Sequence, residues 1–135
     1  MLRINVVAVL GAGVLAFVVG GLWYSPLLFG KAYLTLRGLD PTAEVGMPAG
    51  ELVGEFSRWL LITVVLAALM PRVGVDGVAT AVLFGLTMWA IIYAALAGAV
   101  LHEEYPWRVY ALHAGDGLVK LVVITGILGL WPSRG

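Results

Sequence analysis

The stretch Gly20-Gly21-Leu22-Trp23-Tyr24-Ser25-Pro26-Leu27-Leu28-Phe29-Gly30-Lys31 joins the first long apolar run of the chain to its first polar segment. Its Trp23-Tyr24 pair is typical of the boundary between the hydrocarbon core of a bilayer and its headgroups. Its Ser25-Pro26 pair is typical of an N-cap followed by the first helical residue. We therefore predict that a membrane span ends here and that an interfacial helix follows over about residues 26–37. The alternative is an ordinary tight loop with a few apolar residues.

The composition of the 135 residues is that of a membrane protein. Mean hydropathy is +1.01, 61% of the residues are apolar and only 12% are charged, about half the usual fraction in soluble domains. These values exclude a disordered chain. A formal charge of zero gives no indication of nucleic-acid binding, and the absence of cysteine excludes disulfides, iron–sulfur clusters and thiol catalysis. Because there are only two histidines, we predict no metal and no cofactor.

Four apolar segments are long enough to cross a bilayer, at about residues 4–24, 51–70, 77–101 and 108–131. We therefore predict an all-α integral membrane protein in which residues 1–135 form a single membrane domain. It has four transmembrane helices, with the short interfacial helix after the first. The turn between the second and third spans is short, so we expect those two spans to be antiparallel neighbours.

Two of the spans carry a small residue at every fourth position. The series runs from Ala8 through Ala12 and Ala16 to Gly20 in the first span, and through Ala90, Ala94 and Gly98 in the third. Such a face lets another helix approach closely, which is the usual packing device inside a bilayer. We predict a homo-oligomer in which one of these two faces forms the contact between subunits.

The fourth span differs from the others because it carries His113, Asp116 and Lys120 near its middle. At about 100° per residue, these three side chains share one stripe of the helix. The helix would be ~36 Å long, which places Lys120 near mid-membrane. An unpaired charge there costs about 2.5–3.5 kcal/mol, and Asp116 is correctly spaced to neutralise Lys120. The stripe is therefore either a buried structural pair or a polar path.

The neighbours of this stripe leave room for contact. Gly115 and Gly117 flank Asp116 and would let a backbone, a water molecule or a ligand come close. In the second span, Glu55 and Arg58 are three residues apart and can pair with each other, or Arg58 can reach the surface. If the second span packs against the fourth, both become candidate partners of the stripe.

The signature stretch also carries a resemblance to a known family. It is similar to the signature of a family of small bacterial membrane proteins classed as a domain of unknown function, which has about four spans. The matching residues are Trp23, Tyr24, Ser25, Pro26, Phe29, Gly30 and Lys31. The resemblance implies the fold and a bacterial inner membrane, but no activity, because the family has none established.

Three functions remain open. The first is an oligomeric conduit or carrier for protons, ions or an unknown small solute along the polar stripe. The second is a non-transporting assembly or accessory protein whose buried charges fix helix packing or a partner. The third is an intramembrane enzyme with His113 as base and Asp116 as orienting group. We disfavour the enzyme because the sequence has no evident nucleophile, metal set or phosphate loop.

The orientation in the membrane is predicted from charge. The side of the termini carries three basic residues, Arg3, Arg72 and Arg134. The opposite side carries four, Lys31, Arg37, Arg58 and Arg108. These counts are too close to decide. Placing Arg58 inside the membrane would level the count, and because the opposite side carries most of the acids, the small excess of positive charge then favours cytoplasmic termini. We thus expect a multi-pass inner-membrane protein that contacts lipid and a second copy of itself, and no nucleic acid.

Overall fold

A computed structural model describes residues 4–42 and 47–131, and these ranges contain five helices. They are α1 (Val6–Trp23), α2 (Gly30–Leu36), α3 (Ala49–Arg72), α4 (Val78–His102) and α5 (Trp107–Leu130). All but α2 are long and apolar enough to cross a membrane. The predicted all-α class with four long apolar helices and one short helix after the first is therefore confirmed. Arg3 and Arg134, used in the orientation argument, lie outside the described residues.

The short helix is confirmed, but it begins later than predicted. Residues 26–29 form a turn, and α2 starts at Gly30 rather than at Pro26. Ser25 does not cap α2, because its hydroxyl donates to the carbonyl of Leu22 at 2.7 Å, in the last turn of α1. The Ser-Pro pair therefore closes the first helix instead of opening the second. Phe29 occupies the N-cap position of α2 without a side-chain hydrogen bond.

The four long helices pack in an order that differs from their order in the chain. Helix α5 packs against α4 on one side and α1 on the other, and α3 packs mainly on α1. The expectation that α3 and α4 are neighbours was wrong, since they make little contact beyond the turn that joins them. The reason is that small residues let each of them approach another helix closely: Gly13 of α1 faces Leu60 of α3, and Gly85 of α4 faces Thr125 of α5.

This order makes α5 the most enclosed of the spans and α4 the least enclosed. The core is formed mainly by α1, α3 and α5, with Leu121 and Ile124 of α5 fully buried in it, and α4 contributes Ala81. Both described ends of the chain lie at the same end of the bundle, because the side-chain amide of Asn5 donates to the carbonyl of Trp131 at 3.3 Å. The opposite end carries α2 and the beginning of α5.

The two predicted small-residue faces have different surroundings. In α1, Ala8, Ala12 and Ala16 are fully buried within the chain, so this face is already covered by α3 and α5. This face is thus occupied within the chain, and the subunit contact stays a prediction. In α4, Ala90 and Ala94 are exposed. The small residues that α4 uses against α5 lie one to two turns earlier, at Ala81 and Gly85.

Candidate functional site

The ionisable residues of α5 form a buried ion pair in the interior of the bundle. The ammonium group of Lys120 donates to Oδ2 of Asp116 at 2.7 Å, in the favourable order of acid before base at i and i+4. The two residues are only 2% and 5% exposed. The pair is thus shielded from lipid and from bulk water by its own chain, which avoids the cost of an isolated charge in hydrocarbon.

Two residues from other helices close over Lys120. Its ammonium nitrogen lies 4.6 Å from the centroid of the Trp59 ring, so α3 supplies a cation–π contact. From α1, Gly20 leaves the space that the ammonium group occupies, because a Cβ there would lie 2.7 Å from Nζ. Lys120 therefore touches both helices that border α5 on this side.

Towards the α2 end, the stripe continues through His113. The hydroxyl of Tyr24 and Nδ1 of His113 are joined by a hydrogen bond of 2.5 Å. Burial, together with the negative charge of Asp116, raises the pKa of Tyr24, which follows the end of α1, so that its hydroxyl keeps its proton. The ring of Tyr33 in α2 packs against both partners, with centroid distances of 5.0 Å to Tyr24 and 5.7 Å to His113. His113 is half-buried in this aromatic cluster.

The signature stretch is folded so that it delivers Trp23 and Tyr24 to α5. The backbone N–H of Phe29 donates to the carbonyl of Trp23 at 2.9 Å, and their rings lie 4.5 Å apart. Gly30 is buried against the backbone of Tyr24 and Ser25, and a Cβ there would overlap with the carbonyl oxygen of Tyr24. The chain therefore reverses tightly between α1 and α2, and only glycine fits at the crossing point.

Two tryptophans hold α5 from opposite sides at the turn that carries the ionisable residues. Nε1 of Trp23 in α1 donates to the carbonyl of Leu112 at 3.1 Å, and Nε1 of Trp89 in α4 donates to the carbonyl of Ala114 at 2.8 Å. These carbonyls still have a second lone pair for the helical hydrogen bonds of α5. The rotation of α5 about its axis is thereby fixed, and so is the direction of Asp116.

The glycines beside Asp116 admit aromatic rings rather than a backbone or ligand. A Cβ on Gly115 would lie 2.7 Å from the indole of Trp23, and one on Gly117 would overlap with the hydroxyl of Tyr93. Each glycine therefore accepts an aromatic side chain from a different neighbouring helix. Packing against aromatic rings therefore explains both glycines, and the sequence alone did not indicate this reason.

One comparison with known proteins identifies the family. Residues 7–129 match the family described as "Protein of unknown function (DUF1761)". The chain belongs to this family. No curated protein and no solved structure matches the chain.

The structure of this DUF1761 protein brings together most of the residues singled out in the sequence. Trp23, Tyr24 and Gly30 of the signature and His113 of the polar stripe form one continuous cluster. Lys31 is exposed on α2 and does not take part. His113 bonds Tyr24 rather than Asp116, so the base and orienting group of an enzyme are not paired.

Glu55 and Arg58, the candidate partners of the stripe, are not joined to it directly. They form their own ion pair of 2.6 Å on α3, where the two side chains are 36% and 61% exposed. Helix α3 instead contributes Trp59, the next residue, to Lys120. Glu55 and Arg58 therefore pair with each other rather than with the stripe, because α3 turns Trp59 inward and these two side chains outward.

Three contacts of the candidate site in this DUF1761 chain were not predicted from the sequence. Trp59 is buried on Lys120, a position that the sequence did not indicate. Gly20 was assigned to a stripe for helix packing, yet its neighbour is an ammonium group. Trp89 carried no evident role.

Proposed function

We propose that this DUF1761 protein is a non-transporting membrane assembly protein in which the Asp116–Lys120 pair fixes the packing of α1, α3 and α5. The proposal rests on the closed geometry of the pair. Its atoms bond each other at 2.7 Å, and Trp59 and Gly20 close over Lys120. A conduit needs polar groups that exchange partners with a passing ion, whereas these groups are already paired.

The pattern of α5 beyond Lys120 supports the same function. Its buried residues towards the other end of the bundle are mostly apolar, including Leu121, Ile124 and Leu128. Thr125 is buried there too, but its hydroxyl donates to the carbonyl of Leu121 at 2.7 Å within the helix. In the described residues of α5, the polar stripe therefore ends near mid-membrane and does not reach the second surface.

Buried charges are suited to specifying one arrangement of helices. The pair lies within one helix and can form in any rotation of α5, but other rotations or registers would turn it towards lipid and lose the contacts of Lys120 with Trp59 and Gly20. Here the correct arrangement also lets Trp23 and Trp89 donate to α5 carbonyls. The pair and the two indoles select the same rotation of α5, which favours a role in assembly.

We further propose that the assembled unit is a homo-oligomer in the bacterial inner membrane, with both termini in the cytoplasm. The face of α4 that carries Ala90 and Ala94 is exposed in the single chain and is the remaining small-residue face. Small residues allow close helix contact inside a bilayer. We expect lipid to cover the exposed apolar surface that a second copy of the chain does not contact.

A second candidate, a conduit or carrier, is favoured by one observation. Oδ1 of Asp116 is buried and has no protein hydrogen-bond partner among the described residues. The half-buried pair of His113 and Tyr24 leads from this carboxylate towards the α2 end of the bundle. A carrier would use this one-sided polar route to load a proton or a small solute at Asp116.

A flux assay distinguishes the two candidates. The purified protein is reconstituted into liposomes, and leakage of protons, sodium, potassium and a panel of small solutes is compared with protein-free liposomes. The assembly function predicts no flux above the protein-free level at any pH tested. Flux that disappears in Asp116→Asn but persists in Glu55→Gln, an exposed acid on α3, would establish the conduit instead.

A further inference from the structure

Two buried polar atoms lie beside the Asp116–Lys120 pair with their hydrogen-bonding capacity unused. One is Oδ1 of Asp116, the carboxylate oxygen that does not contact Lys120. The other is Nε1 of Trp59, whose ring covers the ammonium group of Lys120. Both residues are 5% exposed, and within the described residues neither atom has a protein partner. One atom is an acceptor and the other is a donor.

The charges at this position restrict what these two atoms can bind. Asp116 and Lys120 neutralise each other, so a further ion would leave a net charge near mid-membrane. Glu55 and Arg58 also neutralise each other on the exposed side of α3. The partner must therefore be neutral, and it must donate to the carboxylate oxygen and accept from the indole.

The surroundings restrict its size. Gly20 faces the pair from α1, and its missing Cβ would lie 4.0 Å from Oδ1 of Asp116. The ammonium group of Lys120 already fills most of the space at Gly20, where a Cβ would lie 2.7 Å from Nζ. We therefore infer that a molecule between Trp59 and Asp116 is about the size of a water molecule.

We propose that α1, α3 and α5 form an internal binding site for a small neutral hydroxylic molecule, with water as its natural occupant. The bound molecule donates to Oδ1 of Asp116 and accepts from Nε1 of Trp59. Buried water characteristically satisfies polar atoms of this kind, and it needs at least two polar partners. The site is independent of the assembly function, because a single bound molecule is not a path across the membrane.

The indole protons of the protein test this site with water as the probe. Trp23 and Trp89 are internal controls, since their indole N–H groups donate to backbone carbonyls at 3.1 and 2.8 Å. After transfer of the reconstituted protein into deuterated water, the Trp59 proton should exchange about tenfold faster than that of Trp89, the factor that one hydrogen bond is worth. In proton NMR it should also show a cross-peak to water. Assignment uses Trp59→Phe.

A charge-neutral variant checks that Asp116 holds the water. Asp116→Leu combined with Lys120→Met removes the acceptor without leaving a lone charge. This double variant should abolish the water cross-peak of Trp59, while the indole exchange rates of Trp23 and Trp89 stay unchanged. Two results would overturn the proposal. One is a wild-type Trp59 proton that is protected as long as that of Trp89 and lacks the cross-peak. The other is a cross-peak that survives in the double variant.

Discussion

Oη of Tyr24, the residue that follows α1, lies 2.5 Å from Nδ1 of His113 in α5. This hydrogen bond connects the signature stretch with the polar stripe across 89 positions of sequence. Tyr24 therefore does more than anchor the end of α1 at the membrane surface, because it also binds α5. The turn built around Gly30 and the ionisable residues of α5 are parts of one structure.

The bond predicts a specific cost for removing the hydroxyl. Tyr24→Phe keeps the ring packing but leaves Nδ1 of His113 without its partner, so we expect a loss of about 1–3 kcal/mol in stability. Tyr33→Phe is the matched control, because among the described residues its hydroxyl hydrogen-bonds only to the exposed Arg37, which donates to it at 3.4 Å. Thermal melting in one detergent compares them. Equal effects of the two variants would contradict the assigned role of Tyr24.

Two adjacent glycines of α1 should respond in opposite ways to alanine. Gly21→Ala adds a Cβ in open space and should stabilise the helix by up to about 1 kcal/mol, the difference in helix propensity. Gly20→Ala places its Cβ 2.7 Å from Nζ of Lys120 and should lower the melting temperature by displacing the ammonium group. Stabilisation by Gly20→Ala would show that Lys120 does not lie against α1.

The assembly proposal predicts different effects for two alanines that the sequence had treated alike. Ala94→Leu enlarges an exposed position of α4 and should reduce the oligomer mass measured in detergent, with folding retained. Ala12→Leu overpacks a fully buried position, which typically costs about 1–3 kcal/mol, and should destabilise the chain itself. A wild-type protein that is monomeric at all concentrations would contradict the proposed homo-oligomer.

The number and class of the elements were predictable because each depends on local sequence. Apolar length alone indicates the four long helices, and the Trp-Tyr-Ser-Pro stretch indicates the break between α1 and α2. The pairing of Asp116 with Lys120 was also accessible, because both lie on one helix at a spacing that fixes their distance. Helical geometry needs no knowledge of the other spans.

What could not be predicted depends on which helices are neighbours. The short turn between the second and third spans suggested that α3 packs on α4. Close contact is instead decided by small residues, such as Gly13 of α1 against α3 and Gly85 of α4 against α5. The inward direction of Trp59 follows from that arrangement and has no local signal. The same holds for Ser25, whose hydroxyl can cap either of two helices and closes the first.

The proposed assembly role depends on the ion pair between Asp116 and Lys120, and a double-mutant cycle tests this pair. Asp116→Asn and Lys120→Met each leave a lone buried group, and loss of one partner from a buried pair typically costs about 3–5 kcal/mol. The exposed pair provides the control: Glu55→Gln and Arg58→Met should each change stability by no more than about 1 kcal/mol.

The decisive measurement is a set of melting curves, recorded in one detergent. It compares the Asp116→Asn and Lys120→Met single variants with their combination. We predict that each single variant melts well below the wild type and that the double variant recovers much of the loss, because it buries no lone charge. Losses that simply add, with no recovery in the double variant, would show that Asp116 and Lys120 are not partners.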